Sequence, residues 1–562
     1  MLIDELQTRL RQEQAGDFLS GTLQGAASLA DLRRLDVAQL QRLVAASPTE
    51  FALGIHLDDG SAFVAVDRFA VHTACWRIEG GRLHVAARAD AFAGQAAEDG
   101  NDLDPQALFD YLYFHCIPAP RTVFKGVSRL PAGHCAVFRD GRLSVTPYWV
   151  PSFTPPSGAV SFDALKTEFR GLLKDAVASR LDGGKPGCFL SGGTDISTVT
   201  GMLRDAAGGP AASYSIGFEA QGYDEMVYAR LAAKHFGSEH HEYYVTPDDL
   251  VSKIPDVARF YDQPFGNSSA VPAYFCARMA RDDGVTRILA GDGGDELFGG
   301  NSRYAKQRVF GWWDDMPGAA RGVLDPLFGN GLVARTPLLK KGSSYIQQAK
   351  VPLPDRLQTY NLLHRLRMDE VLTPAFLAQV DVHAPEQQQR EVWATARTDD
   401  RLNRQLAFDW RYTLAENDLP KVCGTTQLAG LAVGFPMLDA RLVDFSLRLP
   451  TAYKLKGLKL RWFFKEALRG FLPDEIIAKK KQGFGLPFGV WATQHAGLNA
   501  LARDTLASLA TRGLVQPGFV KTLMDQRLAE HAHFYGEMVW ILMMLEQWLQ
   551  QHAPAFRVNE TR

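Results

Sequence analysis

No two cysteines of this chain stand close enough together to suggest a zinc knuckle or a dithiol motif. The six present (Cys75, Cys116, Cys135, Cys188, Cys276 and Cys423) are scattered singly through 562 residues. That pattern argues against a disulfide framework and fits a reducing compartment, so a cytoplasmic location is expected. Net charge is nearly absent as well: 61 Lys and Arg against 63 Asp and Glu leave −2. Neither nucleic acid nor a membrane surface is expected as a partner, and the run Lys479-Lys480-Lys481 is too short to change this. Long apolar runs are also missing. The longest, Val539 to Leu549 (VWILMMLEQWL), contains a glutamate and reads as a buried helix rather than a bilayer span. As core or as a face between copies, that helix is compatible with a homodimer. The opening MLIDELQTRLRQEQ has no apolar signal region; Ile3, Leu6 and Leu10 instead sit at helical spacing.

What is present divides the chain in two. Its length exceeds what one core supports, and Pro147, Pro151, Pro155 and Pro156 mark a seam that neither helix nor central strand tolerates. Before the seam, over residues 1–150, FALGIHL, AFVAVDRF, RLHVAARA and HCAVFRDGRLSV alternate with period two, which predicts a β-rich domain with helices near 31–45 and 105–115. Over residues 160–562 the pattern changes. A helical stripe (Phe162, Leu165, Phe169, Leu172, Leu173, Ala176, Val177) leads to the strand GCFL. Then follow a helix over 197–207, SYSIGF, a helix around YDEMVYARLAAKHFG, HHEYYV and RILAG. Strands alternating with helices predict an α/β domain on a parallel sheet, with helix dominating from about 305 onward.

Ligands of such sheets bind at the carboxyl ends of the strands, and two polar loops fall there. After GCFL comes Ser191-Gly192-Gly193-Thr194-Asp195. Two glycines let the backbone turn and approach a ligand, and the helix N-terminus that follows suits a phosphate. After Arg287 to Leu289 comes AGDGGDELFGG, with Asp292, Asp295 and Glu296 among glycines that include Gly291 and Gly293. Carboxylates beside a phosphate cradle suit Mg²⁺. A third stretch ends in Lys481-Gln482-Gly483-Phe484, where a lysine could stabilise charge developing on a phosphoryl group.

Together these stretches resemble the asparagine synthetase B family. SGGTD is similar to the family's Ser-Gly-Gly-x-Asp-Ser, and GDGGDELFGG to its acidic loop. YDQPFGNSSAVPAY, FPMLDARLVDF and KKKQGF match three further segments in order. The resemblance implies an Ntn-hydrolase-like glutaminase domain followed by an ATP-pyrophosphatase domain. It implies ATP held by Ser191, Gly192, Gly193, Thr194, Asp195, Ser197, Gly291, Gly293, Asp295 and Glu296, with Mg²⁺ on Asp195 and Asp295. It further implies that a small-molecule or peptide carboxylate is adenylated and then attacked by ammonia or an amine. Lys481 then steadies the reacting phosphate, and Asp292 serves as base or stabiliser.

The chain departs from that family pattern in three places. Residue 2 is Leu where glutamine-hydrolysing members have an N-terminal catalytic Cys, and Val66-Asp67 replaces the usual Arg-Asp. A glutaminase-like scaffold without glutaminase chemistry is therefore expected. Ile196 stands where the family has Ser, a hydroxyl loss worth about 1–3 kcal/mol against a desolvated phosphate. Cys423-Gly424 and Ala432-Val433-Gly434 replace charged family positions, while Lys421 remains. Three functions stay open: an amide synthetase using ammonia or an amine, a ring-closing relative of the β-lactam synthetase or lasso-peptide cyclase kind, and a weak or inactive nucleotide-binding protein.

Overall fold

Alternation builds the first part of the molecule. Strands β1 (Phe18–Gly21), β2 (Phe51–His56), β3 (Ala62–Val66), β4 (Cys75–Glu79), β5 (Arg82–Ala86), β6 (Val127–Arg129), β7 (His134–Arg139) and β8 (Arg142–Pro147) form two antiparallel sheets, ordered β1-β2-β3-β7-β8 and β5-β4-β6. Ala52, Ala62, Val64 and Val66 point to one side, where they meet Trp76, Leu83 and Val85 of the smaller sheet. Phe51, Leu53, Ile55, Phe63 and Ala65 point to the other, onto Leu40 and Val44 of helix α1 (Val37–Ala46). Period-two geometry thus places a core on each face of the larger sheet. Helix α2 (Pro105–Phe114) starts on Asp104, whose carboxylate accepts from Gln106 N, and ends at His115 in the left-handed conformation (φ 63°).

In the computed structural model the described residues are 16–26, 28–94, 102–158, 160–220, 222–322, 337–480, 483 and 485–558, with side chains of the 337–350 helix described from 344 onward. The predicted N-terminal helical stripe of Ile3, Leu6 and Leu10 lies outside these residues, as does Lys481.

The second part is built on β9 (Lys185–Phe189), β10 (Ala212–Phe218), β11 (Glu239–Val245), β12 (Val285–Leu289) and β13 (Ala432–Gly434). All pairings are parallel, in the order β11-β10-β9-β12-β13. Helices α3 (Phe162–Ala178), α4 (Thr194–Ala207) and α5 (Met226–Phe236) cover one face through Phe169, Leu173, Val199, Ala229 and Phe236. On the other face lies α6 (Ala270–Asp282); the short α7 (Gly294–Phe298) turns Phe298 back against Phe169 of α3, and α8 (Leu419–Ala429) then returns to the side of α6. Cys276, Ala277 and Ala280 of α6 and Ala429 of α8 pack there against Tyr214 and Ile288. Successive strands run outward from β9 in one direction (β10, β11) and in the other through β12 and β13. The chain therefore reverses its course between β9 and β12, and a crevice opens at the carboxyl ends of those two strands.

Helix dominates after about 305, as expected, and strand β13 is a short exception. Three residues, Ala-Val-Gly, carry no periodicity; only their pairing (Leu289 with Gly434) makes them a strand.

The two parts share a core. Helix α9 (Ala532–His552) is the apolar run seen in the sequence, and Trp540, Ile541, Met543 and Trp548 have no exposed surface. Tyr111 of α2 donates to Ile541 O at 2.8 Å, and Trp548 Nε1 donates to Tyr261 O at 3.0 Å. The glutamate inside the run, Glu546, is buried but paired with Arg512 (2.6 Å). Among the described residues no helix is long and apolar enough to cross a membrane.

Candidate active site

Where β9 ends, the backbone needs glycine for two separate reasons. Gly192 has φ +69°, and a Cβ there would lie 2.4 Å from the Tyr228 backbone. Gly193 then caps α4 with no side chain accepting from the first turn. The N–H groups at the start of α4 are left to a ligand, and the helix dipole favours an anion there. α4 begins three residues earlier than the sequence pattern suggested, so Asp195 lies in its first turn.

At the end of β12, Gly293 has φ +99°, and a Cβ would meet Leu438 Cδ2 at 2.3 Å. α7 follows at once and carries Asp295 and Glu296. The two loops touch: a Cβ on Gly291 would lie 3.1 Å from Ile196 N. A Cβ on Gly294 would lie 2.0 Å from Asp195 Oδ1, and one on Gly300 would overlap Asp295 Oδ1. Each carboxylate thus occupies space that only a glycine leaves free.

Both carboxylates converge on Arg461. Its Nη1 is 2.8 Å from Asp195 Oδ2 and 2.8 Å from Asp295 Oδ1, its Nη2 also pairs with Asp195, and Thr194 Oγ1 lies 3.5 Å away. Arg461 is buried, adopts φ 53°, and donates its backbone N–H to Gly299 O (3.2 Å). Sequence reasoning missed this residue. It lies far along the chain between Leu460 and Trp462, and Lys456, Lys459 and Lys465 nearby leave nothing in the sequence to single it out. Two adjacent carboxylates, each with hard oxygen donors, are a donor set that fits Mg²⁺.

A second charged group lies next to the first. Asp292 Oδ1 is 3.8 Å from Lys421 Nζ, which is also 3.0 Å from Asp418. Lys421, left without a partner by the sequence reading, thereby acquires two. Burial pushes the Asp292 carboxyl up against the opposing pull of the Lys421 ammonium. Glu296 is pushed up to about 8 by burial and by the carboxylates of Asp418 and Asp409.

One cavity of about 570 Å³ joins these groups. Ser191, Gly193, Asp195, Gly291, Asp292, Gly293, Asp295 and Glu296 line it, as does Ile196. Gly192 lies behind it against Tyr228, and Thr194 faces Arg461. Ser197 is fully buried with its hydroxyl unpartnered and is not on the wall, so its side chain is not brought to the other predicted phosphate-loop residues. Gly483 reaches the wall, while Lys481 lies outside the described residues.

Comparison with known proteins matches the two-part architecture. Residues 41–149 match a family described as glutamine amidotransferase domain, and residues 168–550 match the asparagine synthase family. A β-rich amidotransferase-like domain followed by an α/β synthetase domain defines a class of ATP-dependent amide ligases. Within that class, the chain belongs to the asparagine synthase family. It is 25% identical over 459 residues to asparagine synthetase (glutamine-hydrolysing) 1 of Bacillus subtilis (strain 168), covering 80% of this chain and 70% of that protein. It is 27% identical over 472 residues to a putative asparagine synthetase (glutamine-hydrolysing) of Mycobacterium bovis, covering 82% and 70%. A 206-residue segment is 35% identical to a putative asparagine synthetase (glutamine-hydrolysing) 2 of Methanocaldococcus jannaschii, covering 35% and 39%.

Proposed function

We propose that the chain is an AMP-forming amide synthetase. It adenylates a small-molecule or peptide carboxylate for attack by ammonia or an amine, and it does not itself hydrolyse glutamine. The observation that carries this reading is the meeting of two glycine-rich strand-end loops at the sheet's switch point, with Asp195 and Asp295 on one guanidinium. In this reading the backbone of Ser191, Gly192 and Gly193 and the N-terminus of α4 hold the pyrophosphate part of ATP. Asp195 and Asp295 hold Mg²⁺, which when bound neutralises phosphate charge. Arg461 balances the charge of the two carboxylates. Asp292, held by Lys421, faces the acyl centre, and Lys481 steadies charge on the reacting phosphate.

The cysteines support the non-hydrolysing half. Cys75, Cys116, Cys135, Cys188 and Cys276 are buried, and burial pushes the thiols of Cys75, Cys116, Cys188, Cys276 and Cys423 up, away from the thiolate a nucleophile needs. Val66, in place of the usual arginine, is packed into the core between the larger and the smaller sheet of the β-rich domain.

The test is carboxylate-dependent ATP–pyrophosphate exchange with Mg²⁺, aspartate first and then a panel of acids and peptides, with a parallel assay for glutamate release from glutamine. Exchange without glutamate release is expected. Release of glutamate would overturn the non-hydrolysing half, and absence of exchange would overturn adenylation. Ile196 on the cavity wall favours a second reading, a weakened nucleotide-binding protein. Exchange that arises only in Ile196→Ser would select it.

A further inference from the structure

The reading above leaves part of the cavity wall without a task. That part is formed by His115, by the loop from Gly266 to Ser269, and by Glu537. His115 belongs to the β-rich domain, where it closes α2 in the left-handed conformation. Its carbonyl accepts from Gly266 N at 2.8 Å, which ties it to the loop carrying Asn267, Ser268 and Ser269. Glu537 comes from α9, at the far end of the chain. His115 Nδ1 lies 3.8 Å from Glu537 Oε1, too far for a hydrogen bond. His115 Nε2 is buried and has no hydrogen-bond partner. A buried ring nitrogen without a partner is costly, and the Glu537 carboxylate beside the ring is open to the cavity. Burial also keeps the imidazole neutral, with its pKa pushed down to about 4, and pushes the Glu537 carboxyl up. The neutral imidazole thus keeps one ring nitrogen able to accept, and the Glu537 carboxyl holds a proton more readily than an ordinary carboxylate.

We propose that His115 and Glu537 form the acceptor subsite, which binds the ammonium nitrogen that becomes the amide nitrogen and takes its protons. An ammonium group has N–H donors for both acceptors and a charge for the carboxylate to pair. The step rests on the amide-synthetase reading. Glu537 takes one proton from the ammonium, and the freed lone pair forms the C–N bond to the acyl carbon. The C–O bond to the adenylate phosphate breaks, with AMP leaving on the electron pair. The second proton passes from the acylated nitrogen, now strongly acidic, to His115 Nδ1, the ring nitrogen that faces Glu537. The β-rich domain then contributes a side chain to the synthetase reaction without any glutaminase chemistry of its own.

The experiment compares the intact chain with Glu537→Gln and His115→Asn, the latter chosen because asparagine tolerates the left-handed backbone. With an acid that supports exchange, ATP–pyrophosphate exchange is measured alone. Amide formation is then titrated separately with ammonium chloride, methylamine and glycinamide. Exchange should stay within about twofold, while amide formation falls by about tenfold or more through the KM for the amine, the size of a lost charge-assisted contact. The nitrogen compound that supports turnover identifies free ammonia or a primary amine as the source. Equal loss of exchange and amide formation, or no change in either, overturns the subsite. If the intact chain supports no exchange, the adenylation reading fails, and the subsite is judged by calorimetric binding of the same three compounds. Binding weakened about tenfold by Glu537→Gln sustains it, and unchanged or absent binding overturns it.

Discussion

Lys454 has no exposed surface, yet it carries an ammonium. Its Nζ donates to Asn403 Oδ1 at 3.0 Å and lies 4.8 Å from the Phe153 ring centre, and neither partner is an anion. Burial pushes this lysine down to about 7 from its ordinary 10.5. Between those two values the folded state binds fewer protons than the unfolded state, so stability rises with pH across that window and the penalty is complete below about 7. Lys454→Met removes the charge and keeps the length. Urea midpoints should show the variant gaining most over the parent at pH 6, with the gain shrinking toward pH 10. An equal difference at both pH values would show that the lysine enters the folded state without a charge penalty.

The loops that carry the carboxylates act as a pair, so their tolerance to change is set by the gap between them. In Gly294→Ala the new methyl would stand 2.0 Å from Asp195 Oδ1, so α7 and the β9 loop must separate. Gly294 lies at the start of a short helix and has no positive φ, so the fold itself should accept alanine. A displacement of about 1 Å at a reacting centre can cost about 100-fold. Exchange activity should fall on that scale, with the loss of stability limited to about 1–3 kcal/mol from local overpacking; a variant with unchanged exchange would mean that the loops do not hold the ligand jointly. At this scale much was legible in the sequence. Glycine punctuation after GCFL and RIL located both loops, because a backbone that must turn and leave room can be read from residue type. β13 was not legible, since Ala432–Gly434 is a strand only by virtue of Leu289 and Ala290 beside it. Arg461 and the pair His115 and Glu537 were not legible either. They reach the site by tertiary packing, and no local period marks them.

Across the whole molecule, the two domains are joined by a buried charge cluster as well as by apolar contact. Arg129 of β6 pairs with Glu416 and also donates to Ile117 O at 2.8 Å. Arg411 pairs with the same carboxylate and donates to Ala119 O at 2.6 Å, while Ala119 N donates to Glu416 Oε1 at 3.3 Å. Glu416→Ala would leave two guanidiniums buried around an empty position, a loss of roughly 3–5 kcal/mol. Denaturation followed by tryptophan fluorescence should show a lowered midpoint in one transition, because Tyr111 and Trp548 sit in one core. Two separated transitions would mean that the domains fold independently of each other.

The position of α9 in the chain also bears on the order in which the molecule is made. Residues 532–552 leave the ribosome after every strand of the parallel sheet and every residue of the two loops. Until then Tyr111 has no Ile541 carbonyl to donate to, Tyr261 no indole from Trp548, and the cavity no Glu537. A nascent chain can therefore present the phosphate loops while still lacking a wall of the cavity. Completion of α9 both joins the domains and closes that wall, so a partly synthesised chain would have the loops to meet a nucleotide before it had the means to complete an amide.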